Sequence, residues 1–149
     1  MSSSYMEQAL QLAKEAAFAG EVPVGAVIVC KEGKVLAAER NRIVELSDAT
    51  AHAEILAIRA ACEQLGSERL VDCDLYVTLE PCTMCAGAIS LARLRRIYFG
   101  APDPKGGGVE HGACFFDQAT CHHRPEVYGG ICEGEAAQLL QDFFAAKRG

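Results

Sequence analysis

Met6, Leu10, Ala13 and Ala17 recur at helical spacing ahead of Gly20, so the chain opens with an amphipathic helix that the glycine stops. The period then changes. Val22 to Cys30 is short, apolar and β-branched, Lys31-Glu32-Gly33 supplies a turn, and Lys34 to Asn41 returns as a second strand, which predicts a hairpin. Arg42 to Thr50 is polar and loop-like, and Asp48 or Thr50 is placed to cap a helix over about Ala51 to Leu65. Leu75 to Leu79 reads as a buried third strand. Pro81 suits the first position of a third helix that runs to about Ala92, since its missing N–H would have no partner there. Arg96 to Gly100 is a fourth strand, Pro102 to Gly108 a breaker-rich loop, and Glu126 to Tyr128 a short fifth strand. Ala136, Leu139, Leu140, Phe143 and Phe144 mark a final helix. Strands alternating with helices predict an α/β layered domain whose sheet starts as an antiparallel hairpin and continues through crossovers.

Composition narrows the class. At 149 residues, half of them hydrophobic, residues 1–149 form one domain with one core, and no repeat or linker divides them. The longest apolar stretch is interrupted by Pro23 and Gly25 and is far shorter than the ~20 residues that span a membrane, and the first residues lack the pattern of a secretory signal. A cytoplasmic protein without a membrane segment is expected. Its eight cysteines then read as reduced thiols, with Cys30, Cys62, Cys73 and Cys132 as small core residues. A net charge of −6 excludes a generally basic nucleic-acid-coating protein, although Arg93, Arg95, Arg96, Lys105 and Arg124 leave room for a local basic face.

The chemistry concentrates at two helix starts. His52-Ala53-Glu54 opens one, and Pro81-Cys82-Thr83-Met84-Cys85 opens another, with Cys82 and Cys85 on one helical face. One His and two Cys make a three-ligand zinc set that keeps the fourth position for water, whereas structural zinc usually takes four protein ligands. Helix N-termini favour thiolates, and a catalytic zinc lowers the pKa of its water to about 7. Glu54, a carboxylate that is not a ligand, is the candidate catalytic base, and His-x-Glu followed by Pro-Cys-x-x-Cys is the signature of zinc-dependent nucleobase deaminases. A second group, His111, Cys114, Cys121, His122 and His123, has no recognised finger spacing.

The chain resembles the bacterial tRNA-specific adenosine deaminases of the cytidine-deaminase-like superfamily. The resemblance rests on Glu21-Val22-Pro23-Val24-Gly25-Ala26-Val27, Asn41-Arg42, Thr50-Ala51-His52-Ala53-Glu54, the run from Tyr76 to Cys82, Cys85-Ala86-Gly87-Ala88, and Asp142-Phe143-Phe144. It implies a three-layer α/β/α domain with a five-stranded mixed sheet, strands four and five parallel, assembled as a homodimer. It implies one Zn2+ per chain on His52, Cys82 and Cys85, proton transfer by Glu54, and hydrolysis of adenosine to inosine at wobble position 34 of a tRNA anticodon stem-loop, with release of ammonia. By the same resemblance Asn41 and the Ala53 backbone meet the nucleobase or ribose and Val24 walls the pocket. Asp103 and Lys105 meet flanking nucleotides, and Lys147 with Arg148 extends that contact. Phe143 and Phe144, read from helical spacing and not from the resemblance, fit core packing at the end of the last helix, with Phe144 as the candidate to stack on a base. The stretch from Pro102 to Arg124 departs most from the family, with Gly106-Gly107-Gly108 and His122 in place of its usual residues. The zinc motif alone also fits a deaminase of a free base or nucleoside (guanine, cytosine or cytidine), and a zinc-stabilised binding module differs from both in having no use for Glu54.

Overall fold

In the computed structural model, which describes residues 2–148 and the side chains of residues 4–147, a five-stranded sheet lies between two helical layers. The elements in chain order are α1 (Ser2–Phe18), β1 (Gly25–Val29), β2 (Val35–Arg40), α2 (Ala53–Leu65), β3 (Asp74–Leu79), α3 (Thr83–Leu91), β4 (Arg96–Ala101), β5 (Glu126–Tyr128) and α4 (Glu133–Arg148), with a 3-10 turn at Phe115–Asp117. The sheet order is β2-β1-β3-β4-β5. β1 pairs antiparallel with both neighbours, whereas β3, β4 and β5 run parallel. The mixed sheet, with its parallel fourth and fifth strands, is the one that the resemblance implied.

Strand alternation divides the core in two. Ala26, Ile28, Leu75, Val77, Ile97 and Phe99 face α2 and α3, where Ala53, Ala57, Ala61, Ala86 and Ile89 pack on them. Val27, Val29, Tyr76 and Ala101 face α1 and α4, against Met6, Ala9, Leu10 and Ala136. Period-two side chains on strands and period-3.6 side chains on helices together produce these two apolar layers. Gly25 lets α1 approach closely, because a Cβ there would strike the Ala9 carbonyl and the Leu12 side chain. On the α1 side, Tyr5, Tyr76, Tyr98 and Tyr128 form a continuous ladder with successive ring centroids 5.2, 4.5 and 5.2 Å apart.

Two helix starts differ from the sequence expectation. α2 begins at Ala53 with His52 in the N-cap position, and Asp48 does not cap it but closes a turn, accepting from the N–H and hydroxyl of Thr50 at 2.9 and 2.7 Å. α3 begins at Thr83 with Cys82 as N-cap, so Pro81 lies just before the helix and not at its first position. In both places the cap side chain makes no capping hydrogen bond, which leaves a metal-ligand type of residue at the positive end of each helix. Among the described residues no helix is long and apolar enough to cross a membrane.

Candidate active site

The two caps meet beyond the carboxyl end of β3. Asn41 helps to set this up from the end of β2: its Oδ1 accepts the Ala53 N–H at 2.8 Å and its Nδ2 donates to the Val22 carbonyl at 3.1 Å. The start of α2 is thereby tied to the chain entering β1. His52 Nδ1 then lies 3.7 Å from Cys82 Sγ and 3.5 Å from Cys85 Sγ, and among the described residues these three form the only group of potential metal-binding side chains.

The spacing suits zinc. Bond lengths of about 2.0–2.1 Å to nitrogen and about 2.3 Å to sulfur, at a tetrahedral angle, require a nitrogen–sulfur edge of about 3.6 Å. The two observed edges bracket that length. One imidazole and two sulfurs, one of them buried, are also a donor set that zinc favours.

Electrostatics separate the two sulfurs and isolate the carboxylate. The Cys82 thiol is pulled down to about 4 by its hydrogen bond with Cys85, against the cost of burial, with help from His52. The Cys85 thiol is pushed up by the same shared proton and by burial. Burial pushes the Glu54 carboxyl up to about 7, with its own backbone N–H and His52 acting in the opposite direction. Glu54 is 4% exposed and lines the cavity beside His52 and Cys82. A carboxyl that exchanges its proton near neutral pH can both accept and return one.

The cavity holds about 310 Å³ and is walled by Val22, Val24, Ile43 and Leu79, with Asn41, Glu80, Asp103 and Gly106 as further lining. A neighbouring cavity of about 440 Å³ shares Val22, Leu79, Asp103 and Gly106 with it and adds Lys105, Leu140 and Phe144. Val24, Asn41, Glu54, Asp103, Lys105 and Phe144 therefore converge. Asn41 has spent its oxygen and one amide hydrogen internally, so one donor remains for a ligand. The Ala53 N–H is already donated to Asn41, and a purine edge would have to share it. Lys147 is turned elsewhere, with its ammonium 5.4 Å from the centre of the Phe143 ring, beside Ala17 and Gly20. The Arg148 side chain lies outside the described residues.

The residue that sequence reasoning missed is Glu80. Its side chain is fully buried, and it accepts the backbone N–H groups of Asp103, Val109, Glu110 and His111. The visible signal was a carboxylate ending the apolar run Leu75 to Leu79, a place where a charge needs a reason. Gly107 belongs to the same arrangement, since a Cβ there would collide with the Glu80 carboxylate and the Asp103 carbonyl. The second Cys/His group does not converge. His111 bonds Glu80, the Cys114 thiol reaches the His111 carbonyl, Cys121 lies against Ser90, and His123 bonds the Leu94 carbonyl.

Residues 1–101 match the model of the cytidine and deoxycytidylate deaminase zinc-binding region. A tRNA-specific adenosine deaminase from Agrobacterium fabrum is 60% identical over 144 residues, which cover 97% of this chain and 94% of that protein. The chain belongs to the tRNA-specific adenosine deaminases of this zinc-binding family. A solved structure from work on A-to-I editing by tRNA:A34 deaminases superposes on the deaminase with a TM-score of 0.90 at 60% identity, covering 92% of this chain and 99% of the other. A guanine deaminase from Nitrosomonas europaea shares the fold, with a TM-score of 0.83 at 24% identity over 96% of this chain and 84% of its own.

Proposed function

We propose that residues 1–149 act as a single zinc-dependent domain that hydrolyses adenosine to inosine at wobble position 34 of a tRNA anticodon stem-loop, releasing ammonia. The observation that carries this reading is the open His52/Cys82/Cys85 triangle with the buried Glu54 beside it, inside a chain 60% identical to a tRNA-specific adenosine deaminase. When bound, zinc supplies the Lewis acidity that turns water into a nucleophile at neutral pH. Glu54 takes one proton from that water and delivers it to N1 of the purine, then takes the second from the hydroxyl newly bonded to C6 and passes it to the amine, which leaves as ammonia as the C6–N bond breaks. Val24 and Ile43 exclude bulk water, and the free amide hydrogen of Asn41 orients the base or its ribose. Asp103, Lys105 and Phe144 receive a flanking nucleotide in the adjoining cavity. We place one zinc in each chain, the chain in a homodimer, and the dimer in the cytoplasm. Support for a dimer comes from Met84 and Leu91, seven residues apart on α3 and both exposed, Leu91 by 73%.

The test is direct. A transcribed anticodon stem-loop with adenosine at position 34 should yield inosine with zinc-loaded protein, while free adenosine, cytidine and guanine release little ammonia. Turnover of a free base or nucleoside without turnover of the stem-loop would assign the site to the alternative deaminase class.

A further inference from the structure

Two cysteines remote from the zinc-type site face each other across the sheet. β1 and β3 pair with Ile28 opposite Leu75 and Val29 opposite Asp74. One more step of that register sets Cys30 opposite Cys73. Alternation places both on the α2/α3 face, and both belong to the apolar cluster of that layer. Their backbone groups bond elsewhere. The Cys30 N–H donates to the Lys34 carbonyl and its carbonyl accepts from Gly33, both at 2.9 Å; the Cys73 N–H donates to Leu70 at 3.1 Å and its carbonyl accepts from Arg95 at 2.8 Å. The two residues thus form a non-hydrogen-bonded antiparallel pair, the kind whose Cα atoms sit about 4.5 Å apart with side chains at their closest. A disulfide spans Cα separations of about 4.4–6.8 Å. Both residues also line one surface cavity of about 210 Å³, together with Lys31, Glu32, Leu65 and Asp72, so a small reagent has a way in.

We propose that Cys30 and Cys73 are a redox-responsive dithiol that closes to a cross-strand disulfide by exchange with a small-molecule disulfide such as oxidised glutathione. Cys30 is half-buried and Cys73 only 2% exposed, so Cys30 is the sulfur that the reagent meets. Burial, with Cys30 adding to it, pushes the Cys73 thiol up to about 11, which fits a resolving role and not an attacking one. The Cys30 thiolate attacks one sulfur of the reagent, a mixed disulfide forms, and one glutathione thiolate leaves. Cys73 then gives its proton to solvent and attacks the Cys30 sulfur, expelling the second glutathione. The protein loses two electrons and two protons, and the reagent gains them as two thiols.

The location decides the consequence. Cys73 precedes β3, whereas the active site begins after it, and six strand residues separate them by roughly 20 Å. The bond closes a long loop between β1 and β3, constraining the unfolded chain while leaving the cavity intact. It stabilises without touching turnover.

Full-length, zinc-loaded protein equilibrated in glutathione redox buffers, alkylated and mapped by peptide mass spectrometry tests this proposal. The expected results are a linked peptide joining Cys30 to Cys73, retained zinc, unchanged deamination, and a thermal midpoint raised by about 5–10 °C. Cys73→Ser should stop the reaction at a persistent glutathione adduct on Cys30, and Cys30→Ser should give neither product. A persistent adduct at Cys30 in the unmodified chain, linkage of either residue to Cys62 or another thiol, or a lowered midpoint in the linked form would overturn the proposal. The linkage is read without any assay of turnover, so an inactive protein would count against the proposed reaction alone.

Discussion

Glu80 Oε1 and His111 Nδ1 lie 2.8 Å apart, joining the end of β3 to a loop 31 residues further along the chain. That bond completes a carboxylate already holding four backbone N–H groups, and no side-chain surface of Glu80 reaches solvent. The loop from Asp103 to His111 has little secondary structure of its own, so this buried anion defines its path. Glu80→Ala would orphan several donors at once. Each orphan costs about 1–3 kcal/mol, and a loss on the order of 3 kcal/mol or more should be measured by urea denaturation at pH 7.

The same carboxyl makes stability depend on pH. Burial alone would raise it, but the Asp103 N–H, His111 and the Glu110 and Val109 N–H groups outweigh burial and hold it below its ordinary value of 4.5. A depressed folded-state value means that its stabilisation is complete above about pH 4.5 and fades as pH falls through the folded value. Denaturation midpoints of the parent should therefore drop on the acid side of pH 4.5, and Glu80→Gln should flatten that part of the profile. An unchanged acid limb in the variant would remove Glu80 from the acid response.

Glu54→Ala should keep the fold and the metal while slowing deamination by at least about 10²–10⁴-fold, the contribution typical of a positioned proton carrier. Zinc content by mass spectrometry and inosine formation by nucleoside chromatography separate the two effects. Activity close to the parent's would mean that another group moves the proton.

Chelation should expose the sulfurs in a set order. Without metal, Cys82, whose thiol falls to about 4, should be alkylated by iodoacetamide well before Cys73, which burial holds near 11. Re-adding one equivalent of zinc should protect Cys82 and restore turnover. Rapid labelling of Cys82 in the zinc-loaded protein would argue against it as a ligand.

Lys105 lines the cavity next to the site, whereas Lys147 sits over Phe143. Lys105→Ala should accordingly weaken stem-loop binding and lower the slope of log affinity against log salt by about 1. Lys147→Ala should change that slope less. Fluorescence anisotropy over a range of salt concentrations measures both.

Element types were readable because the periods are clean: β-branched runs for β1 and β3, helical spacing of Met6, Leu10 and Ala13. The helix starts were misplaced by two residues because His52 and Cys82 occupy cap positions without making cap bonds, so local propensity points to their neighbours. Motif spacing brought His52, Cys82 and Cys85 together on paper, since a metal site constrains residue type as well as distance. Glu80 escaped notice because its partners are backbone N–H groups, which every residue has and no sequence pattern displays. For the same reason the donation of the Ala53 N–H to Asn41 could be seen only in three dimensions.

The chain has four tyrosines and no tryptophan, and all four tyrosines belong to the ladder running from α1 across β3 and β4 to β5. Its tyrosine absorption thus comes from a single coupled set of phenol rings on the sheet face away from the zinc-type site. In the tyrosine band, where phenylalanine absorbs little, near-ultraviolet dichroism of the unlabelled protein watches the seating of α1 and β5 on that face.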